Sequence, residues 1–194
     1  MAVCDYLIAK DIRNNCELVA GIESEGVIIN RADIDFSASA HDTTNKNIIK
    51  SIVLKSGKKG FKIVVGSNQA FNNTQTTLAV GTNRNTFVND LAFTIIDNTP
   101  ELSESVLDAL ANGQFVVVFE NKQKVEAEKS IFQVMGWAQG LRAQTLENNK
   151  YNEETSGGWA VMLQETNVPK SAMFFFDTTE ATTRAAFNSL TTTI

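Results

Sequence analysis

The sequence predicts a mainly β protein, a β-sandwich or partly closed barrel with one or two short flanking helices. Thr and Asn each occur 19 times in 194 residues, and both favour strand surfaces, turns and side-chain-to-backbone bonds over helix interiors. Short β-branched or aromatic runs recur along the chain between turn residues. Only two stretches combine helical spacing with a capping residue. With 43% hydrophobic and 20% charged residues, the chain is composed like an ordinary globular domain. Residues 1–194 therefore read as one domain with an N-terminal arm.

The elements follow in order. After the arm, GVIIN (26–30) and DIDFSAS (33–39) read as strands, the second because polar and apolar residues alternate. IIKSIVLK (48–55) and FKIVVG (61–66) flank SGKKG and predict a hairpin. Lys55, Lys58, Lys59 and Lys62 then form its solvated tip. Residues 67–90 are dominated by Asn, Thr and Gln and predict a long polar loop. LAFTIID (91–97) returns to strand.

Residues 99–120 are the clearest organiser. Thr99 can cap a helix, Pro100 suits its first turn, Glu101 and Glu104 suit its dipole, and Gly113 stops it. Leu102, Val106, Leu107 and Leu110 share one helical face, and the unbroken apolar run 115–119 predicts a buried strand. A charged turn leads to the strand IFQVMGW (131–137). Residues 139–158 predict a second long polar loop. WAVMLQE (159–165) and AMFFFD (172–177) are strands joined through Pro169. Thr178 or Thr179 can cap a C-terminal helix that packs through Ala185, Ala186 and Leu190.

The search for chemistry returns little. His41 is the only histidine, so a hydrolytic base has a single candidate. Its neighbour Asp42 falls on the opposite face of an extended strand and would not orient the ring. One histidine and two cysteines cannot build a zinc site. Asp33 with Asp35, and Glu23 with Glu25, lack the glycine-punctuated loop of an EF-hand. There is no glycine-rich phosphate loop. No catalytic residue, metal or cofactor is expected, and the protein does not read as an enzyme.

A net charge of −5 opposes general nucleic-acid binding, which needs clustered Lys and Arg. Cys4 and Cys16 are expected to be free thiols, as in a reducing compartment. No window approaches the ~20 consecutive apolar residues of a membrane span, and the first residues do not read as a secretory signal. The expectation is a soluble protein made in a cytoplasm, without membrane anchoring.

The two polar segments are where function is expected. Ordering such stretches costs entropy unless they order on something else, and Asn, Thr and Gln edges suit strand-to-strand addition.

The order of helix, apolar strand, strand ending in GWAQGLR (136–142), polar loop and GGWAVMLQETNVPKSAMFFF (157–176) resembles the tail tube proteins of long-tailed bacteriophages. The same resemblance extends to the tube proteins of contractile injection and type VI secretion systems, and it covers residues 90–190. It implies a subunit that forms hexameric rings, stacked into a hollow tube through which DNA passes without specific binding. The protein would then be a structural component of the virion, assembled in the host bacterial cytoplasm, with itself and other tail proteins as partners. The helix 100–112 would lie on one side of the sheet, strands continued between neighbours would form the inner wall, and 67–90 would reach the adjacent ring. Net acidity would discourage DNA from sticking. Subunit contacts are expected from Phe71, Asn72, Asn73, Leu78, Val80, Arg84 and Phe87, with Arg142, Tyr151 and an outward-facing Phe175. The family does not predict the long connection between Trp137 and Trp159.

Three alternatives belong beside this reading. One is another tail, neck or baseplate component. Another is a β-sandwich module binding carbohydrate or protein through Trp137, Trp159 and Tyr151. The third is a hydrolase using His41.

Overall fold

A computed structural model describes residues 8, 10–12, 19–64, 71–124 and 129–193. Cys4, Cys16, most of the N-terminal arm and the start of the 67–90 segment lie outside the described residues.

The strands are β1 (Ile22–Asn30), β2 (Ala40–His41), β3 (Ile48–Ser51), β4 (Phe61–Val64), β5 (Asn73–Ala79), β6 (Thr86–Ile95), β7 (Phe115–Asn121), β8 (Phe132–Met135), β9 (Arg142–Asn148), β10 (Trp159–Val168) and β11 (Met173–Phe175). They build two sheets, one of seven strands in the order β2-β3-β11-β8-β7-β1-β4 and one of four in the order β5-β6-β10-β9. The protein is mainly β, and its sheets pack as a sandwich without closing into a barrel.

Strand β7 organises both layers, which explains its unbroken apolar run. Phe115, Val117 and Phe119 join Leu91 and Phe93 of β6 and Val161 and Leu163 of β10 in the core between the sheets. Val116 and Val118 belong to the core beneath the C-terminal helix, with Phe132, Phe175, Phe187 and Leu190. A strand covered on both faces has no reason to alternate.

Both predicted helices form. In the first, Thr99 Oγ1 accepts from Leu102 N at 3.3 Å, and the chain runs through Pro100–Leu102, the wider turns of Ser103–Leu107 and Asp108–Asn112. Leu107 and Leu110 are buried, whereas Val106 stays on the rim, 36% exposed. The C-terminal helix, Glu180–Ser189, starts with a reciprocal capping box between Thr179 and Thr182. Phe187 stacks on Phe132 with ring centroids 4.5 Å apart. Arg184 clamps the helix to β7, giving Glu120 two hydrogen bonds of 2.9 and 2.8 Å and Glu180 a third of 2.9 Å.

Four expectations are corrected. The 67–90 segment is not a loop throughout: 73–79 and 86–95 are the antiparallel strands β5 and β6, paired from Asn73↔Ala92 to Ala79↔Thr86. Likewise 142–148 is β9, an edge strand paired with β10. The turn after β9 orders on its own chain, with Asn148 Nδ2 donating to the carbonyls of Gly157 and Gly158 at 3.1 and 2.8 Å.

The predicted 48–66 hairpin does not pair with itself. β3 joins β2 and β11, while β4 joins β1 at the far end of the sheet. Between them Leu54 bridges Ile34 and enters the core under the C-terminal helix, and Gly60 N donates to Leu190 O at 2.6 Å. Tertiary burial of the apolar residues overrides the local pairing. Finally, 33–39 is not a strand. The Asp35 carboxylate accepts from Ser37 N, Ser37 Oγ and Ala38 N at 3.0, 2.6 and 3.1 Å, a local alternative that competes with ladder bonds. These bonds also hold its carboxyl below the ordinary range, the Ser37 hydroxyl most of all.

Candidate assembly surface

β6 carries a feature of interest at each end. At its start, β5 and β6 form a hairpin whose connecting residues 80–85 are all exposed. Leu78 and Val80 expose 57% and 83% of their surface there. Within 73–86 the only charged residue is Arg84.

The root of this hairpin is fixed by a polar chain through the sandwich. Val161, Leu163 and Glu165 alternate toward the large sheet, so Glu165 arrives where another apolar residue would be expected, and it is 2% exposed. Thr76 Oγ1 donates to Asn89 Oδ1 at 2.7 Å, and Asn89 Nδ2 donates to Glu165 Oε2 at 3.1 Å. The other donors are backbone amides of the 136–140 turn, Gly136 to Oε2 at 3.1 Å and Gln139 and Gly140 to Oε1 at 2.6 and 3.3 Å. Gly136 and Gly140 have φ of +86° and +88°, and this left-handed backbone turns the amides inward as an anion-binding concavity. From the other side Arg31 donates to Ala138 O at 2.9 Å while its guanidinium lies 4.6 Å from the Phe36 ring centre. Sequence reasoning missed this anchor, although a carboxylate ending an apolar strand and a GxxxG turn were both visible.

At the far end of β6 the described residues leave the sandwich open. An apolar cleft of about 720 Å³ lies between β4, the end of β6 and the helix 100–112. Its lining includes Phe93, Leu110, Phe115 and Ile28, which belong to or pack against the core between the sheets. Phe61 and Val64 stand at its edge, 51% and 61% exposed. Strand β4 has β1 as its sole neighbour and β5 has β6 as its own, so each ends a sheet among the described residues. Lys62 and Asp97 are the charged residues of its lining; the helix contributes Leu102, Ser105, Val106, Ala109 and Leu110, while its exposed acids Glu101, Glu104 and Asp108 lie off that face.

The predicted contact residues divide. Leu78, Val80 and Arg84 lie together at the hairpin end. Asn72 and Asn73 lie at the start of β5, and Phe87 is half-buried opposite Leu78. Arg142 is exposed on the opposite edge strand, β9, and Tyr151 is 95% exposed on the turn beyond it. Two are not surface residues. Phe71, 2% exposed, packs edge-on against Phe93 and Phe119, and Phe175, 1% exposed, packs against Phe132. Phe174, not Phe175, is the more exposed of the pair.

The candidates of the alternative readings do not converge. Trp137 is buried beside Phe36 and His41 in the helix-side core, whereas Trp159 packs against the core between the sheets, so the two make no common platform. Among the described residues, Nδ1 of His41 is buried without a hydrogen-bond partner. Asp42 instead accepts from the amides of Asn45 and Thr44, both at 2.8 Å, and these bonds lower its carboxyl from the ordinary range. Asp33 pairs with Lys58 at 3.4 Å. The described residues contain no group of three or more His, Cys, Asp or Glu able to hold a metal, and no helix long and apolar enough to cross a membrane. No family model, curated protein or solved structure matches the chain.

Proposed function

We propose that the protein is a self-assembling structural subunit of a virion, which forms rings that stack into a phage tail tube. The observation that carries this reading is the open side of the sandwich. Among the described residues an apolar cleft continuous with the core is bordered by the end strand of one sheet, surface that a solitary subunit normally covers or blunts. Assembly with further copies would bury it. The resemblance of 90–190 to tail tube proteins specifies the kind of assembly, and a mainly β sandwich with a helix on its flank is the architecture that resemblance implies. The net charge of −5 suits a wall past which DNA slides without binding.

Sedimentation velocity across a concentration series tests the proposal. The expected result is cooperative conversion of subunits into discrete large species. A single monomer peak at high concentration and at every salt condition would overturn it.

A further inference from the structure

We infer that Asn112 and Gly113 form a self-modification site gated by the helix 100–112. The asparagine deamidates when the end of that helix opens, and the product keeps the end from closing as before.

Of the 19 asparagines only Asn112 precedes a glycine. Deamidation begins with attack by the following backbone nitrogen on the side-chain Cγ, and glycine, with no Cβ, hinders that approach least. The new bond joins Gly113 N to Asn112 Cγ, the Cγ–Nδ2 bond breaks, and ammonia leaves with the amide proton. Water then opens the succinimide at either carbonyl, giving aspartate or isoaspartate. Asn112 is exposed, so water and base reach it. The glycine is fixed by packing, because a Cβ at 113 would stand 2.4 Å from Cζ of Phe115 and 2.6 Å from the Ala109 carbonyl oxygen.

The folded helix blocks the attack twice. Gly113 N donates to Ala109 O at 2.7 Å, which occupies the attacking amide. Asn112 ends the helical segment Asp108–Asn112, and helical backbone tilts its side chain toward the preceding turn, where Nδ2 donates to Asp108 O at 3.1 Å. Cγ is thereby drawn away from the nitrogen that must reach it.

Conversion removes what closes the helix. A carboxylate cannot donate to the Asp108 carbonyl, and it places negative charge at a helix C-terminus. The same helix already carries Glu101, Glu104 and Asp108 and has no Lys or Arg. Isoaspartate also lengthens the backbone by one carbon immediately before Gly113, which displaces the bond to Ala109.

Peptide mapping by mass spectrometry after timed incubation at mildly alkaline pH tests the site. In the urea-unfolded chain Asn112 is expected to convert faster than any other asparagine, and in folded, dispersed subunits about tenfold or more slowly than in urea. Ala111→Gly, an exposed change within the helix, is expected to raise the folded-state rate about fivefold through the lower helix propensity of glycine and to leave the rate in urea unchanged. In Asn112→Asp, amide hydrogen exchange over 109–113 is expected to speed up. Equal rates at Asn112 in the folded and unfolded chain, another asparagine leading in urea, or a folded-state rate that Ala111→Gly does not move would overturn the gated site. Unchanged exchange in Asn112→Asp would overturn the claim that the product keeps the helix end open.

Discussion

Replacing Glu165 by glutamine tests the polar anchor that joins the two sheets beneath the hairpin. The carboxylate is 2% exposed and takes four hydrogen bonds, two on each oxygen. Glutamine keeps the volume but replaces one acceptor oxygen with a donor, so two N–H groups lose their partner and face another N–H. Turning the Asn89 amide, with the Thr76 hydroxyl accepting instead of donating, can restore at most one of those bonds, so at least one backbone N–H stays unpaired. Each buried donor left unpaired costs about 1–3 kcal/mol. With some relaxation, Glu165→Gln is expected to cost about 2–4 kcal/mol in all. Where 1 kcal/mol moves the melting temperature by about 2–4 °C, a loss near 3 kcal/mol is about 6–12 °C. The assay is urea unfolding of dispersed subunits at low concentration, with the m-value checked for constancy. A loss below about 1 kcal/mol would refute the claim that this carboxylate organises the 136–140 turn, because an isosteric change cannot remove those bonds and leave the turn equally stable.

Two further predictions concern the packing around this frame. Burial pushes the Glu120 carboxyl upward, but the Arg184 and Lys124 hydrogen bonds outweigh it and hold the group below its ordinary value. Since the folded value is the lower one, the ion pair's contribution is complete above the unfolded value of 4.5 and is lost as pH falls through the folded value. Arg184→Ala should cost about 1 kcal/mol at neutral pH, with the difference from the unmodified protein closing as acid is added. A difference that persists or widens in acid would contradict the ion-pair account. Gly26→Ala should destabilise by about 1–3 kcal/mol, since a Cβ there would meet the Phe71 ring at 2.5 Å. A Phe71→Leu change should relieve part of that cost in the double variant, and strictly additive urea midpoints would show that the two residues do not touch.

Legibility in the sequence followed burial. The helix 100–112, β7 and the C-terminal helix could be read because their apolar residues face the core at helical spacing or in one continuous run, with Thr99, Gly113 and Thr179 marking the ends. β5 and β9 could not. They end the smaller sheet, their side chains are at most half-buried, and NTQTTLA and RAQTLEN lack the alternation that a half-buried strand requires. The hairpin predicted around SGKKG failed for the opposite reason: both flanking runs are β-competent, and only the global arrangement sends them to opposite halves of the large sheet. That separation is what places β4 beside the cleft. The candidate surface was therefore half legible, since Leu78, Val80 and Arg84 could be singled out as isolated residues in a polar stretch. The cleft was not, because its walls come from β4, β6 and a helix that are remote in sequence.

Negative-stain electron microscopy of the purified protein across a concentration and salt series would show whether this sandwich is a building block. Hollow rings of uniform diameter, with short stacks of rings at the highest concentrations, are the predicted result. Fields of dispersed single subunits under every condition would contradict it.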